Sequence, residues 1–276
     1  MKTAIVTDST ADLPENLLQT YQIHSIPATL VINGQSFVDG DEISRDEFYQ
    51  QLPTMETPPS TATPSSGVFQ ETYQNIFQQG YDHIISIHPP ARLSGLFNAA
   101  RLATNNFRSR VTVIDSGTVT LSMGFQAISA AEAAMKNLPL SEILTTLENV
   151  RKRIHLLAML DSLEYVRRSG RVSWATASVG TLLQLKPFLT LKDGHVLRLG
   201  QARTRHKGIE HLYESLRRLG SLERLAILHT NALDDAQKMM QEFAAQVKST
   251  PFIVNVTTVI GTHVGPNGLG FVAVVE

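Results

Sequence analysis

Short apolar runs alternate with amphipathic segments through the first half of the chain, and this alternation constrains the fold more than any other feature. The runs "TAIVT", "HIISIH" and "RVTVID" have the length and composition of buried strands. Before the second run, Val68, Phe69, Tyr73, Ile76 and Phe77 fall on one helical face. Alternating strands and helices predict a parallel sheet covered on both faces, so we expect an α/β fold with a Rossmann-like α/β/α arrangement here.

The second half has a different pattern, in which strands follow one another through tight turns. Asp193-Gly194 predicts a hairpin, as does Asn33-Gly34 earlier in the chain. "FIVNVTTVIG" and "GFVAVVE" are predicted as strands joined by "THVGPNGL", and "SVGTLLQL" as a helix. We therefore predict two domains that meet near residue 153: an N-terminal α/β domain at residues 1–153 and a C-terminal α+β domain with a mixed sheet at residues 154–276.

Composition argues against several classes of function. The 24 Lys and Arg residues nearly balance the 25 Asp and Glu residues, giving a net charge of −1. That balance does not favour a sequence-independent grip on nucleic acid or on acidic membrane. The absence of Cys excludes disulfides, zinc–thiolate sites and Cys nucleophiles. Because no apolar run has the length of a membrane span or a signal-peptide core, we expect a cytoplasmic protein without membrane insertion.

Polar clusters follow the predicted strands, where the carboxyl ends of a parallel sheet bind ligands. They are Asp8-Ser9-Thr10, the loop around Thr61, Ser94-Gly95, and Asp115-Ser116-Gly117. Ser94-Gly95 stands at a helix start, where a hydroxyl and free N–H groups favour an anion. The alternative is that Ser94 is only a helix cap.

The segment "TPPSTATPSSG", residues 57–67, is open to two interpretations from its composition. It is either a flexible connector or a loop that presents hydroxyls and N–H groups to a ligand. It lies between two predicted helices of the N-terminal domain and not at the predicted domain boundary, which favours a ligand-binding loop.

The remaining candidates are one histidine and two basic segments. His263 lies in "GTHVGPNGLG", which is predicted to be a turn between two strands. "RRSGR" and "RTRHK" are either solvated faces or a docking patch for an acidic or phosphate-bearing partner. The chain has neither a P-loop, a dinucleotide fingerprint nor a spaced His motif, so it predicts neither a nucleotide site nor a metal site.

An enzymatic alternative uses three of these groups. Ser94, Asp115 and His263 occur in the chain order of α/β-hydrolases, which suggests a serine hydrolase acting on a lipid-like ester. However, Ser94 lies in "RLSGLF" and not in a GxSxG elbow, so the exposed strand-to-helix turn of such a nucleophile is not indicated. A DNA-binding regulator is a third alternative, which the neutral charge does not support.

Seven segments together resemble a known family. "VTDSTADLP", "TATPSSGVF", "LSGLFNAA", "VIDSGT", "LEYVRRSGRVS", "ARTRHKGI" and "THVGPNGLG" occur in the order found in the DegV family, and they span essentially the whole chain. The resemblance implies a two-domain α/β protein that binds one long-chain fatty acid in a buried tunnel. It also implies a non-enzymatic subunit without a cofactor, which presents the carboxylate to a separate ATP-dependent fatty acid kinase subunit for conversion to acyl phosphate and phospholipid synthesis.

The resemblance also implies roles for individual residues. The fatty acid carboxylate would contact the residues that match the family's hydroxyl loop, its SG helix start and its HxGPG turn: Thr61, Ser94, Gly95 and His263. Arg171 and Arg203 match family positions near the carboxylate and the surface that meets the kinase. Ala62, Ser169 and Asn267 depart from the family pattern, which affects ligand preference and partner affinity more than the fold. The segment "SVGTLLQLKPFL" is our first candidate for a tunnel wall, with ordinary protein core as the alternative.

Overall fold

The strands of the molecule are, in chain order, β1 (Thr3–Asp8), β2 (Ile23–Ile26), β3 (Thr29–Ile32), β4 (Gln35–Val38), β5 (Ser60–Ala62), β6 (His83–His88), β7 (Val111–Asp115), β8 (Ile154–Met159), β9 (Lys186–Lys192), β10 (His195–Ala202), β11 (Leu222–His229), β12 (Phe252–Asn255) and β13 (Leu269–Val275). The helices are α1 (Glu15–Thr20), α2 (Arg45–Gln51), α3 (Ser66–Gln78), α4 (Leu96–Ala103), α5 (Leu121–Met135), α6 (Leu140–Arg153), α7 (Glu164–Ser169), α8 (Ser173–Thr176), α9 (Arg205–Arg217), α10 (Leu233–Phe243) and α11 (Thr258–Val264).

The structure, a computed structural model, describes residues 1–176 and 185–276, except the side chains of Arg108 and Thr176. The helix predicted in "SVGTLLQL" and most of the candidate tunnel wall lie outside these residues. Within the described part of the chain, no helix is long and apolar enough to cross a membrane.

The first compact unit contains Met1–Thr29 and Ala62–Lys152. Its sheet has the order β2–β1–β6–β7, and every neighbouring pair is parallel. All residues of β1 and β6 are buried, as expected for strands covered on both faces. Helix α5 contacts β1, β2 and β6, while α4 contacts β6 and β7. The parallel α/β sheet predicted for the first half is therefore confirmed.

The second compact unit contains Leu30–Thr61 and Arg153–Glu276. Its larger sheet has the order β10–β9–β8–β13–β11–β12, in which only the β11–β12 pair is parallel, so the predicted mixed sheet is confirmed. The hairpin turn between β9 and β10 has φ of 49° at Asp193 and 75° at Gly194. Both residues are left-handed, as the tightest hairpin turns require, and this agrees with the sequence prediction.

Residues 30–61 correct our expectation for the chain path. We predicted that they belong to the N-terminal domain, but they group with the C-terminal segment. Their own predicted hairpin is present: β3 and β4 are joined at Asn33 (φ 50°) and Gly34 (φ 78°), and β5 completes a small sheet of order β4–β3–β5. The chain passes from the first unit to the second again between Lys152 and Arg153, which is where we predicted the domain boundary. That the two units are separate domains stays a prediction.

Within the second unit, contacts between residues far apart in sequence join residues 30–61 to residues 153–276. The Asp39 carboxylate accepts hydrogen bonds from the hydroxyls of Thr257 and Thr258. The buried Tyr49 hydroxyl donates to the carbonyl oxygen of Val256 at 2.8 Å. Each of these pairs is separated by more than 200 residues. A pattern read along the chain reports local periodicity, so it could not detect this attachment.

The loop at residues 57–67 is therefore at a crossing between the units and not within one of them. The chain leaves the second unit at Thr61 and enters the first at Ala62. We predicted from its position that this segment lies away from any boundary, and this prediction was wrong. The reason is that residues 30–61 pack against residues 153–276, and the local hydrophobic pattern does not reveal contacts between such distant segments.

Candidate functional site

Thr61 and His263 form a side-chain hydrogen bond within the second unit. Thr61 lies in the short strand β5, and His263 lies in the last turn of α11. The Oγ1 atom of Thr61 is 3.2 Å from the Nε2 atom of His263, although 202 residues separate them in sequence. Both residues are partly buried. The structure thus brings together two of the residues that the family resemblance selected.

The segment around His263 differs from our prediction. We expected a strand through "FIVNVTTVIG" and a turn at His263, but β12 ends at Asn255 and α11 begins at Thr258. The Thr257 hydroxyl caps this helix by accepting a hydrogen bond from the Val259 N–H group at 3.2 Å. The β-branched residues that made the segment look like a strand instead serve as caps and core contacts.

Burial keeps the imidazole of His263 neutral at neutral pH. Loss of water around the ring, with a smaller contribution from the positive charge of Arg171, lowers the pKa of His263 to about 4. Its Nδ1 atom is buried and has no hydrogen-bond partner in the described residues. A neutral imidazole carries one N–H group, so it can act as a single donor without adding a positive charge.

Three arginines of the two basic segments differ in their surroundings. Arg171 and Arg203 are exposed: Arg171 follows the left-handed Gly170 that ends α7, and Arg203 follows β10. Arg205, in contrast, donates two hydrogen bonds to Asp235 and one to the carbonyl of Asn267. The segment "RTRHK" therefore contains an exposed residue and a structural one, which its composition did not distinguish.

Ser94 and Gly95 lie at the start of α4 in the first unit. Gly95 is the N-cap of α4, and the hydroxyl of Ser94 before it accepts a hydrogen bond from the Leu96 N–H group at 3.3 Å. A Cβ atom added to Gly95 would lie only 2.7 Å from Thr63 Oγ1. Thr63 was not among the residues predicted for the site, although its hydroxyl lies within the same loop motif. That Ser94 and Gly95 contact a carboxylate stays a prediction.

The groups of the hydrolase alternative are engaged in other contacts. The Asp115 carboxylate accepts hydrogen bonds from the N–H groups of Ala91 (3.2 Å) and Gly117 (2.8 Å). Because a triad histidine is oriented by a carboxylate at its second nitrogen, the unpartnered Nδ1 of His263 does not match that chemistry within the described residues. Nothing in the described residues favours the hydrolase.

A second polar network lies at the carboxyl ends of neighbouring strands in the first unit. The chain of donors runs from Tyr73 to Ser86 (2.9 Å), from Ser86 to His88 (2.7 Å), and from His88 Nδ1 to Asp8 (2.7 Å). Its order resembles a Ser–His–Asp triad, but Ser86 has no exposed surface. Asp8 is therefore part of a buried internal network. This role could be predicted only after the structure showed that β1 and β6 are neighbours.

Comparison of the sequence with known proteins identifies the family of this chain. The family model for DegV, described as uncharacterised proteins, matches residues 2–276. The chain belongs to the DegV family. It is 31% identical over 274 residues to a DegV domain-containing protein of Listeria monocytogenes, covering 98% of this chain and 97% of the relative. It is 35% identical over 273 residues to a DegV domain-containing protein of Streptomyces coelicolor, with the same coverage.

Solved DegV structures share the fold over the full chain. A DegV family protein of Thermus thermophilus, described by its fatty acid binding, has a TM-score of 0.91 and 31% identity, and each chain is covered completely. DegV of Bacillus subtilis, described as a fatty acid binding protein, has a TM-score of 0.87, 32% identity and complete coverage of both chains.

One departure of this DegV chain from the family pattern is explained by its backbone. Asn267 stands in the turn after α11 with φ of 60°, and Gly268 follows it. Asn adopts left-handed backbone more readily than other residues with a Cβ atom. The turn after α11 therefore accommodates Asn at this position.

Proposed function

We propose that this DegV chain binds one long-chain fatty acid and holds its carboxylate through Thr61 and His263. The observation that carries the proposal is the 3.2 Å contact between Thr61 Oγ1 and the neutral His263 imidazole. In this proposal, Nε2–H of His263 donates to Thr61 Oγ1, and the Thr61 hydroxyl donates to a carboxylate oxygen. Such a chain of donors strengthens the last hydrogen bond by polarisation.

The proposed site suits a carboxylate that must remain reactive. An ionised carboxylate is costly to bury without hydrogen bonds, so hydroxyl and imidazole donors are needed. Because the imidazole is neutral, it does not form an ion pair that would withdraw charge from the oxygen. The nucleophilic oxygen therefore remains available for phosphoryl transfer by a separate ATP-dependent fatty acid kinase subunit, with Arg171 and Arg203 at the docking surface.

Burial of the acyl chain supplies most of the affinity in this proposal. Each buried methylene contributes about 0.8 kcal/mol, so about fourteen of them contribute on the order of 11 kcal/mol. The carboxylate contacts then select the acid and fix which end of the ligand is presented. We propose no catalytic residue in this chain, since the phosphoryl transfer is assigned to the kinase.

Native mass spectrometry tests the proposal directly. Protein purified from bacterial cells should carry a mass increment equal to one long-chain fatty acid, and the loaded protein with ATP and a fatty acid kinase subunit should yield acyl phosphate, trapped as the hydroxamate. The same mixture without this chain is the control. A lipid-free preparation that also binds no added oleate or palmitate would contradict the proposal.

Replacing Thr61 tests the carboxylate contact. Thr61→Val keeps the side-chain shape but removes the hydroxyl. Because a hydrogen bond to a charged group contributes about 1.5–3 kcal/mol, we expect oleate to bind roughly ten- to a hundredfold more weakly by titration calorimetry. Thr61→Ser keeps the donor and is the matched control, which should retain most of the affinity. Equal affinity of all three proteins would remove Thr61 from the site.

A further inference from the structure

The segment at residues 30–61 contacts α11 at several points and also carries Thr61. The segment contains Asp39, and Thr61 is its last residue. Asp39 is only 6% exposed, so its two carboxylate oxygens are largely removed from water. Buried carboxylates require hydrogen-bond donors, and here those donors come from the start of α11.

Both oxygens of Asp39 bind consecutive threonines. Thr257 Oγ1 donates to Oδ2 at 2.5 Å, and Thr258 Oγ1 donates to Oδ1 at 2.7 Å. The same Thr257 hydroxyl accepts from the Val259 N–H group and thereby caps the helix. Two hydrogen bonds from adjacent residues fix the rotation of the first turn as well as its position. The carboxylate therefore determines how α11 begins.

Helix α11 depends on such contacts because it is short. It spans seven residues, and isolated helices of this length are not stable in water. The Tyr49 hydroxyl donates to Val256 O immediately before the helix, and its ring lies against Gly261 in the middle. His263 follows Gly261 by two positions, within the last turn. Rotation of the first turn would consequently move the imidazole away from β5.

We propose that Asp39 is a positioning residue that holds His263 against Thr61 by fixing the first turn of α11. Segment 30–61 then acts on both partners of the contact, because it supplies Thr61 directly and orients His263 through Thr257 and Thr258. The role of Asp39 in fatty acid affinity rests on the proposed function. Its role in the placement of His263 does not.

The test combines an imidazole titration with ligand affinity. In Asp39→Ala, the His263 resonance, identified by its loss in His263→Gln, should titrate about one unit or more closer to the ordinary value of 6.5 than in the unchanged protein. Oleate should bind roughly tenfold more weakly. In a His263→Gln background, the same substitution should add little further loss, because coupled residues are not additive.

A buried aspartate in the first unit provides the matched control. Asp12 is also buried and accepts a hydrogen bond from a threonine hydroxyl, that of Thr120, at 2.6 Å. Asp12→Ala should lower thermal stability but leave the His263 titration and oleate affinity unchanged. If Asp39→Ala does not fold, Thr258→Val severs one of the same hydrogen bonds from the helix side and should shift the titration in the same direction.

The outcomes separate the inference from the proposed function. An unchanged His263 titration in a folded Asp39→Ala or Thr258→Val protein would overturn the positioning role. Shifts of equal size in Asp12→Ala would overturn it as well, since they would reflect general destabilisation. If the unchanged protein binds no fatty acid, the proposed function fails and the titration alone decides the inference.

Discussion

Gly261→Ala should destabilise the protein by about 3 kcal/mol, because overpacking a tight contact in the core costs this much when neither side can move. A Cβ atom at Gly261 would lie 2.7 Å from Tyr49 Cζ and 2.8 Å from Cε1. Tyr49 is fully buried, and its hydroxyl is held by Val256 O. The ring therefore cannot withdraw without breaking that hydrogen bond, and α11 would have to move instead.

Chemical denaturation with a matched glycine measures this effect. Gly67 lies in the first turn of α3, and a Cβ atom there would meet only Ser65 Oγ at 3.4 Å. Gly67→Ala should be neutral or stabilising by up to about 1 kcal/mol, as expected for a helical glycine. Equal stability of the two variants would show that Tyr49 does not pack on α11 as described. Because α11 carries His263, Gly261→Ala should also weaken oleate binding.

His263 should make the protein less stable as the pH falls from 7 to 4. Burial lowers the pKa of His263 from 6.5 to about 4 in the folded protein. Above pH 6.5 the imidazole is neutral in both folded and unfolded states. Between pH 6.5 and 4 the unfolded chain binds a proton that the folded protein does not, so stability is lost. The loss approaches about 3 kcal/mol, at 1.36 kcal/mol for each pKa unit.

The comparison with His263→Gln isolates this contribution. Burial also lowers the pKa of other histidines, including His24, His155 and His229, but these act equally in both proteins. The difference in free energy of unfolding between the two proteins should therefore change by about 3 kcal/mol between pH 7 and pH 4, in favour of the variant at low pH. His206→Gln, at a side chain 82% exposed, is the control and should track the unchanged protein. A constant difference between His263→Gln and the unchanged protein would contradict the buried neutral imidazole.

Local features of the fold were predictable because their causes lie within a few residues. The turn at Asp193-Gly194 needs left-handed backbone, which these residue types adopt, and the hairpin is present. The apolar runs at β1, β6 and β7 predicted a parallel sheet, which the pairing confirms. In contrast, the β-branched run "VTTVIG" predicted a strand, but Thr257 caps a helix there. The Thr257 hydroxyl donates to the Asp39 carboxylate, which is more than 200 residues away in sequence.

The sequence by itself determined the strand–helix alternation of the first half, the hairpin turns and, through its ordered motifs, membership of the DegV family. Only the tertiary structure decided that residues 30–61 join the second unit, that His263 ends a helix, and that its Nε2 lies 3.2 Å from Thr61 Oγ1. The physical reason is the distance along the chain over which each interaction acts. Turn chemistry and periodicity act between near neighbours, whereas the Thr61–His263 contact and the low pKa of His263 arise from burial between segments distant in the chain.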